Sequence, residues 1–114
     1  MDGGLKGKTI LVVDDERNIQ ASLLSVLADE EAEGRAFGSG EEALAWLSGG
    51  GRADAVLLDI WLPGVDGLET LYALLRLDPA LIVIMMSGHG SITTALRAVK
   101  EGAYDFLEKP LSTD

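Results

Sequence analysis

The sequence contains no cysteine, which excludes a disulfide framework and any thiolate metal site and fits a cytoplasmic protein. No apolar run approaches the roughly 18 residues of a membrane span. The first residues are polar and Gly-rich, and the apolar run behind them is short, so no signal peptide is expected. Basic residues are scarce: 9 Lys and Arg stand against 19 Asp and Glu, giving a formal net charge of −10. Neutralising phosphates needs a basic face, so direct contact with nucleic acid is not expected. Repeats, low-complexity segments and an internal linker are also lacking. The 114 residues suffice for one domain with one core and not for two. With 47% hydrophobic residues, a disordered chain is excluded.

The most informative stretch is Val56-Leu57-Leu58-Asp59-Ile60-Trp61-Leu62-Pro63-Gly64. Its apolar run, from Ala55 to Leu58, ends in a carboxylate, and turn residues follow at once. A short apolar run bounded by Gly and Pro reads as a buried strand. Asp59 then sits at the carboxyl end of that strand, where open α/β sheets bind their ligands.

Other strands read the same way. Residues 1–8 form a loose leader, and the domain runs from 9 to 114. Thr9–Val13 is β-branched and apolar, a strand buried on both faces that ends in Asp14-Asp15-Glu16. Three successive acids repel one another and need solvent or a cation, although acids also suit a helix N-terminus. A helix follows, with Ile19, Leu23, Val26 and Leu27 as its apolar stripe. Ala32–Phe37 alternates like a half-exposed edge strand. Ser39-Gly40-Glu41-Glu42 reads as a capping box for a helix carrying Ala43, Leu44 and Leu47, closed by Gly49-Gly50-Gly51. That box accounts for the GxGxxA match at residues 38–43 without a nucleotide. Asp66-Gly67-Leu68-Glu69 opens a third helix, with Leu68, Leu71, Tyr72 and Leu75 on one side and Asp78-Pro79 as its end. Leu81–Met86 is a further doubly buried strand before Ser87-Gly88-His89-Gly90. Ser91 caps a fourth helix with Ile92, Ala95, Leu96 and Val99 on one face and Gly102 as its stop. Tyr104–Glu108 is a last short strand, ahead of Lys109-Pro110.

Strict β-α alternation with short connections predicts a doubly wound α/β fold with a five-stranded parallel sheet. All carboxyl ends then share one edge, so Asp14, Asp15, Asp59, Ser87 and Lys109 converge although far apart in sequence. Two or three carboxylates suit a hard divalent cation such as Mg²⁺. A carboxylate can also attack phosphorus and become an aspartyl phosphate. Stabilising the transferred group takes a metal, a cation and hydrogen-bond donors, and Lys109 and the Ser87 hydroxyl supply the last two.

Leu11-Val12-Val13-Asp14-Asp15-Glu16, Leu57 to Gly67, Met86-Ser87-Gly88-His89-Gly90 and Phe106-Leu107-Glu108-Lys109-Pro110 together resemble the receiver domains of two-component response regulators. The resemblance covers nearly the whole chain from Thr9. It implies the strand order 2-1-3-4-5, for which the flavodoxin-like fold with a member of this family is a known example. It implies that Asp59 accepts a phosphoryl group from a sensor histidine kinase with Mg²⁺ as cofactor. Asp15 and Asp59 ligate the metal, Asp14 does so mostly through water, and the backbone carbonyl of Trp61 is the third protein ligand. Ser87 turns toward the phosphoryl oxygen, Lys109 pairs with it, and Lys109-Pro110 is a cis peptide. Phe106 is the aromatic switch, or an ordinary core residue in the resting state. His89 and Trp61 flank the site and tune dephosphorylation, or simply face solvent.

The chain is most similar to receivers of NtrC- and NtrX-type sigma-54-dependent transcription activators, which carry output ATPase and DNA-binding domains. The expected role is a signalling switch, not an enzyme, in which the Ser91–Glu108 face responds to phosphorylation. A haloacid-dehalogenase-like phosphatase wants a second acid two residues after its nucleophile, where this chain has Trp61. A flavodoxin-like cofactor binder wants a hydroxyl- and Gly-rich phosphate loop where this chain has Asp14-Asp15-Glu16. A pseudo-receiver would lack the full acid, hydroxyl and lysine set. Alternation also predicts a fifth helix after the last strand, which Leu111-Ser112-Thr113-Asp114 only begins. With that helix missing or truncated, an apolar sheet face stays open and the chain is expected to self-associate.

Overall fold

In a computed structural model that describes residues 4–62, 64, 66–88 and 92–109, strands and helices alternate along the chain. Their order is β1 (Thr9–Val13), α1 (Arg17–Asp29), β2 (Glu33–Phe37), α2 (Gly40–Ser48), β3 (Ala55–Asp59), α3 (Gly67–Leu77), β4 (Ile82–Ser87), α4 (Ile92–Lys100) and β5 (Asp105–Glu108). The five strands form one parallel sheet in the order β2-β1-β3-β4-β5. Pairing is in register: Val13 lies opposite both Phe37 and Leu58, Asp59 opposite Met86, and Ser87 opposite Glu108. The carboxyl ends are therefore level, and the residue that follows each strand reaches the same edge.

The main core lies on one face of the sheet. Leu11, Val13, Val56, Leu58, Val83 and Met85 point into it from the strands, against Ala43, Leu71, Leu74, Ala95 and Ala98 from α2, α3 and α4. Two caps match the sequence. Ser39 accepts from the backbone N–H of Glu42 at 3.2 Å, and Asp66 accepts from that of Glu69 at 2.9 Å. The return bond of the first box goes one residue further back than expected, from Gly38 N–H to Glu42 Oε1. Gly40 has a packing duty rather than a nucleotide-binding one, because a Cβ there would lie 2.1 Å from Thr70 Oγ1 of α3.

The opposite face is covered differently. Ile10 and Val12 pack with Leu27, Leu23 and Leu24 of α1, and Ala55 and Leu57 border this cluster. Leu24 takes the place expected of Val26, which is exposed. On α4, likewise, Ala95 and Ala98 are the buried residues, while Leu96 faces solvent. Among the described residues only α1 lies on this side, and it reaches β1 and β2. The cover thins only at the start of β4, where Ile82 is 41% exposed, while Val83, Met85 and Met86 are fully buried; on β5, Leu107, opposite Met86, is 42% exposed. Strands β1 and β3 are apolar on both faces because each lies in the middle of the sheet. Residues 4–8 make a turn that donates from Gly7 N–H to the Glu31 carbonyl at 3.0 Å.

Candidate functional site

Asp14 follows β1 directly, and its N–H donates to the Phe37 carbonyl of β2 at 3.0 Å, which anchors the residue to the sheet edge. Its carboxylate is fully buried. Oδ1 accepts the Glu16 N–H at 2.8 Å, and Oδ2 lies 2.7 Å from Lys109 Nζ without a well-directed hydrogen bond. The acidic run supplies the N-cap of α1 but no side-chain cap bond to the helix. Glu16 occupies the N-cap with no side-chain bond, and no acid stands in the first turn. The side chain of Glu16 thus makes no cap bond, while Asp14 holds the N-cap residue's own N–H and faces Lys109 at the sheet edge.

Asp59 ends β3 and is nearly fully buried. Its Oδ1 accepts the Trp61 N–H at 3.3 Å, and its Oδ2 lies 3.3 Å from Lys109 Nζ. The turn after it is held by Gly67, whose N–H donates to the Ile60 carbonyl at 3.0 Å. A Cβ at Gly67 would stand 2.4 Å from the Asp59 carbonyl oxygen, so only glycine lets α3 start this close to the strand end. Asp15 is exposed, beside the two buried acids. Asp14, Asp15 and Asp59 each present one carboxylate oxygen within 4.8 Å of the others, a spacing that could hold a metal ion. These all-oxygen, anionic donors fit Mg²⁺ in charge and hardness.

Lys109 is drawn in by β5. Its N–H donates to the Ser87 carbonyl at 2.8 Å, and its ammonium meets Asp14, Asp59 and, at 3.6 Å, Glu16 Oε1. The Glu16 contact was not read from the sequence; the acid next to the Asp pair was the available signal. Burial pushes the Asp59 carboxyl up, and the Asp14 charge adds to this. The Lys109 charge and the Trp61 N–H oppose both without cancelling them, leaving Asp59 at about 6. Burial pulls the Lys109 ammonium down, but Asp14 and Asp59 outweigh it and hold the group above its ordinary value. At neutral pH the Asp59 carboxyl is therefore mostly ionised, and it faces a firmly protonated lysine.

Ser87, at the end of β4, is fully buried, and its hydroxyl donates to the Gly88 carbonyl at 3.4 Å. Trp61 is 58% exposed next to Asp59. Phe106 is half-buried against the main core, as its packing role expects. His89, Ser91 and Pro110, with the expected cis bond before Pro110, lie outside the described residues. Gln20 is a neighbour that the sequence did not point to. Its Nε2 donates to the Asp14 carbonyl at 2.6 Å.

The model of the response regulator receiver domain family matches residues 10–114. The nitrogen assimilation regulatory protein NtrX of Azorhizobium caulinodans is 45% identical over 107 residues, covering 92% of this chain and 23% of that protein. The C4-dicarboxylate transport transcriptional regulatory protein DctD of Rhizobium meliloti is 39% identical over 106 residues, again 23% of its length. The chain thus spans under a quarter of these relatives. The crystal structure of the receiver domain of NtrX from Brucella abortus superposes with a TM-score of 0.84 at 45% identity, covering 90% of this chain and 87% of that one.

Proposed function

The chain belongs to the response regulator receiver domain family, and on that premise we propose that Asp59 is its phosphoacceptor. The observation that carries the proposal is the site itself: an ionisable buried carboxylate with Lys109 at 3.3 Å and two further acids placed to share a cation. A phosphohistidine on a sensor kinase is the donor. An Asp59 carboxylate oxygen attacks the phosphorus, an O–P bond forms and the N–P bond breaks. The histidine nitrogen keeps the electron pair and takes a proton from solvent. Mg²⁺, when bound, supplies positive charge for a phosphoryl oxygen. Asp15 and Asp59 would hold it directly, Asp14 mainly through water, and the Trp61 carbonyl would complete the protein's share.

Lys109 neutralises a second oxygen as a compact point charge, and the Ser87 hydroxyl with nearby backbone N–H groups serves the third. Water attack at phosphorus later releases phosphate and restores the carboxylate, so the domain assists its own slow dephosphorylation without being a metabolic enzyme. His89 and Trp61 tune that step. The added charge and acceptor oxygens draw Ser87 inward, Phe106 follows, and the Ser91–Glu108 face changes its population of two states. In the full-length protein this face controls output ATPase and DNA-binding domains of a sigma-54-dependent activator. Residues 9–114 are the regulatory unit in this reading, behind a short leader, and the protein works in the cytoplasm.

Acetyl phosphate with Mg²⁺ tests the proposal. The expected result is one phosphoryl group per chain, slow release, and no labelling of Asp59→Asn. Rapid phosphate release over many turnovers would instead mark a phosphatase.

A further inference from the structure

Asp14 and Asp15 stand on a short turn between β1 and α1, one residue and two residues past the last sheet register at Val13. The sheet fixes Asp14 through its N–H, but the peptide that joins Asp14 to Asp15 lies beyond the strand. Its orientation decides where the exposed Asp15 carboxylate points. Gln20, in the first turn and a half of α1, is half-buried and reaches back to this peptide, donating from Nε2 to the Asp14 carbonyl at 2.6 Å. Only a donor serves there, because a carbonyl accepts and does not donate. The same residue is tied to the turn a second time, since its backbone N–H donates to the Glu16 carbonyl at 3.1 Å.

From this geometry we infer that Gln20 is a positioning residue for the cation site: its amide fixes the Asp14-Asp15 peptide plane and so aims Asp15 at Asp14 and Asp59. The inference rests on the reading that these three acids hold a divalent cation. Gln20 touches neither cation nor phosphoryl group. It acts as outer partners of metal ligands do, by removing the freedom of the groups that bind. In its absence the buried Asp14 and Asp59 keep their anchors in the sheet, and Asp15 is the acid released.

Three variants test it: Gln20→Leu removes the donor at similar volume, Gln20→Glu replaces it with an acceptor, and Gln20→Arg restores a planar N–H donor. Mg²⁺ is titrated into each chain and followed by the fluorescence of its two tryptophans, of which Trp61 adjoins Asp59, and by calorimetry. The expected result is a roughly 10-fold weaker Mg²⁺ affinity for Gln20→Leu, a weaker one still for Gln20→Glu, and recovery in Gln20→Arg. The metal-free melting temperature of Gln20→Leu should change little. A lowered melting temperature with unchanged Mg²⁺ affinity would reduce Gln20 to a structural role and overturn the inference. The ¹⁵N order parameter of Asp15 in the metal-free protein gives a second readout, independent of the cation. It should fall in Gln20→Leu, and an unchanged value overturns the inference whatever the metal does. Absence of Mg²⁺ binding by the wild-type chain, with a fall in the Asp15 order parameter, would instead refute the cation reading and leave the positioning contact standing.

Discussion

At the scale of single residues, the site is a compromise between burial and charge. Asp59 is ionised at neutral pH against a folded-state pKa raised from 3.8 to about 6. A carboxyl with a raised folded pKa favours the protonated form in the fold. Its contribution to stability is full below about pH 4 and is lost as pH rises through about 6. Asp59→Asn removes that loss, and it removes an ion pair to Lys109 that burial and Asp14 outweigh. In the absence of divalent cations the variant should be more stable than wild type at neutral pH, by about 1 to 2 kcal/mol after screening is allowed for. The difference should vanish near pH 4. Denaturant titrations at the two pH values check this, and equal midpoints at neutral pH would contradict it. Adding Mg²⁺ should stabilise the wild type by mass action and leave Asp59→Asn nearly unmoved.

The elements were legible where hydrophobic pattern alone decides. Strands β1 and β3 are short apolar runs closed by acids, and their partners on the sheet edge followed from alternation. The facing of helices was less legible. Val26 and Leu96 fit their stripes by spacing, yet Leu24 packs on the sheet half-buried and Ala98 is fully buried, because the facing element decides which flank of a stripe is covered. The burial of β4 holds at Val83, Met85 and Met86 and fails at Ile82, since a run of Ile, Val and Met does not report how far a neighbouring helix reaches. Gln20 was invisible for a related reason: a polar residue at a helix start gives no sign of the carbonyl it will meet.

At this scale the switch is also testable. Helix α4 packs on β4 and β5, and its C-terminal end is tied to α3 by Glu101, which accepts from the Tyr72 hydroxyl and from Arg97 Nε. Phe106 lies on β5 in the same layer. Beryllofluoride, a phosphoryl mimic, should therefore shift NMR signals at Phe106 and along Thr93 to Lys100. Shifts confined to the loops around Asp59 would contradict a coupled face.

At the scale of the whole molecule, one sheet face is covered only in part among the described residues. Ile82 and Leu107 are exposed there beyond the reach of α1, with Ile84 half-buried, and exposed apolar side chains favour contact with a second copy. The net charge of −10 opposes such contact at low salt and opposes it less as salt screens it. The 114-residue chain should accordingly self-associate, more at high ionic strength than at low, and Leu107→Lys should return it to the monomer. Size-exclusion chromatography with light scattering reads this directly. A monomer at all salt concentrations would show that the exposed strip is too small to drive assembly.

All these scales meet at one carboxylate. The most direct measurement is to incubate the chain with acetyl phosphate and Mg²⁺, trap the product by hydride reduction of the acyl phosphate, and locate the reduced residue by tandem mass spectrometry. Reduction at Asp59 alone, absent when Mg²⁺ is withheld and absent in Asp59→Asn, is the result expected. Reduction at Asp14 or Asp15, or an unmodified chain under conditions that keep it folded, would contradict the assignment of Asp59 as the phosphoacceptor.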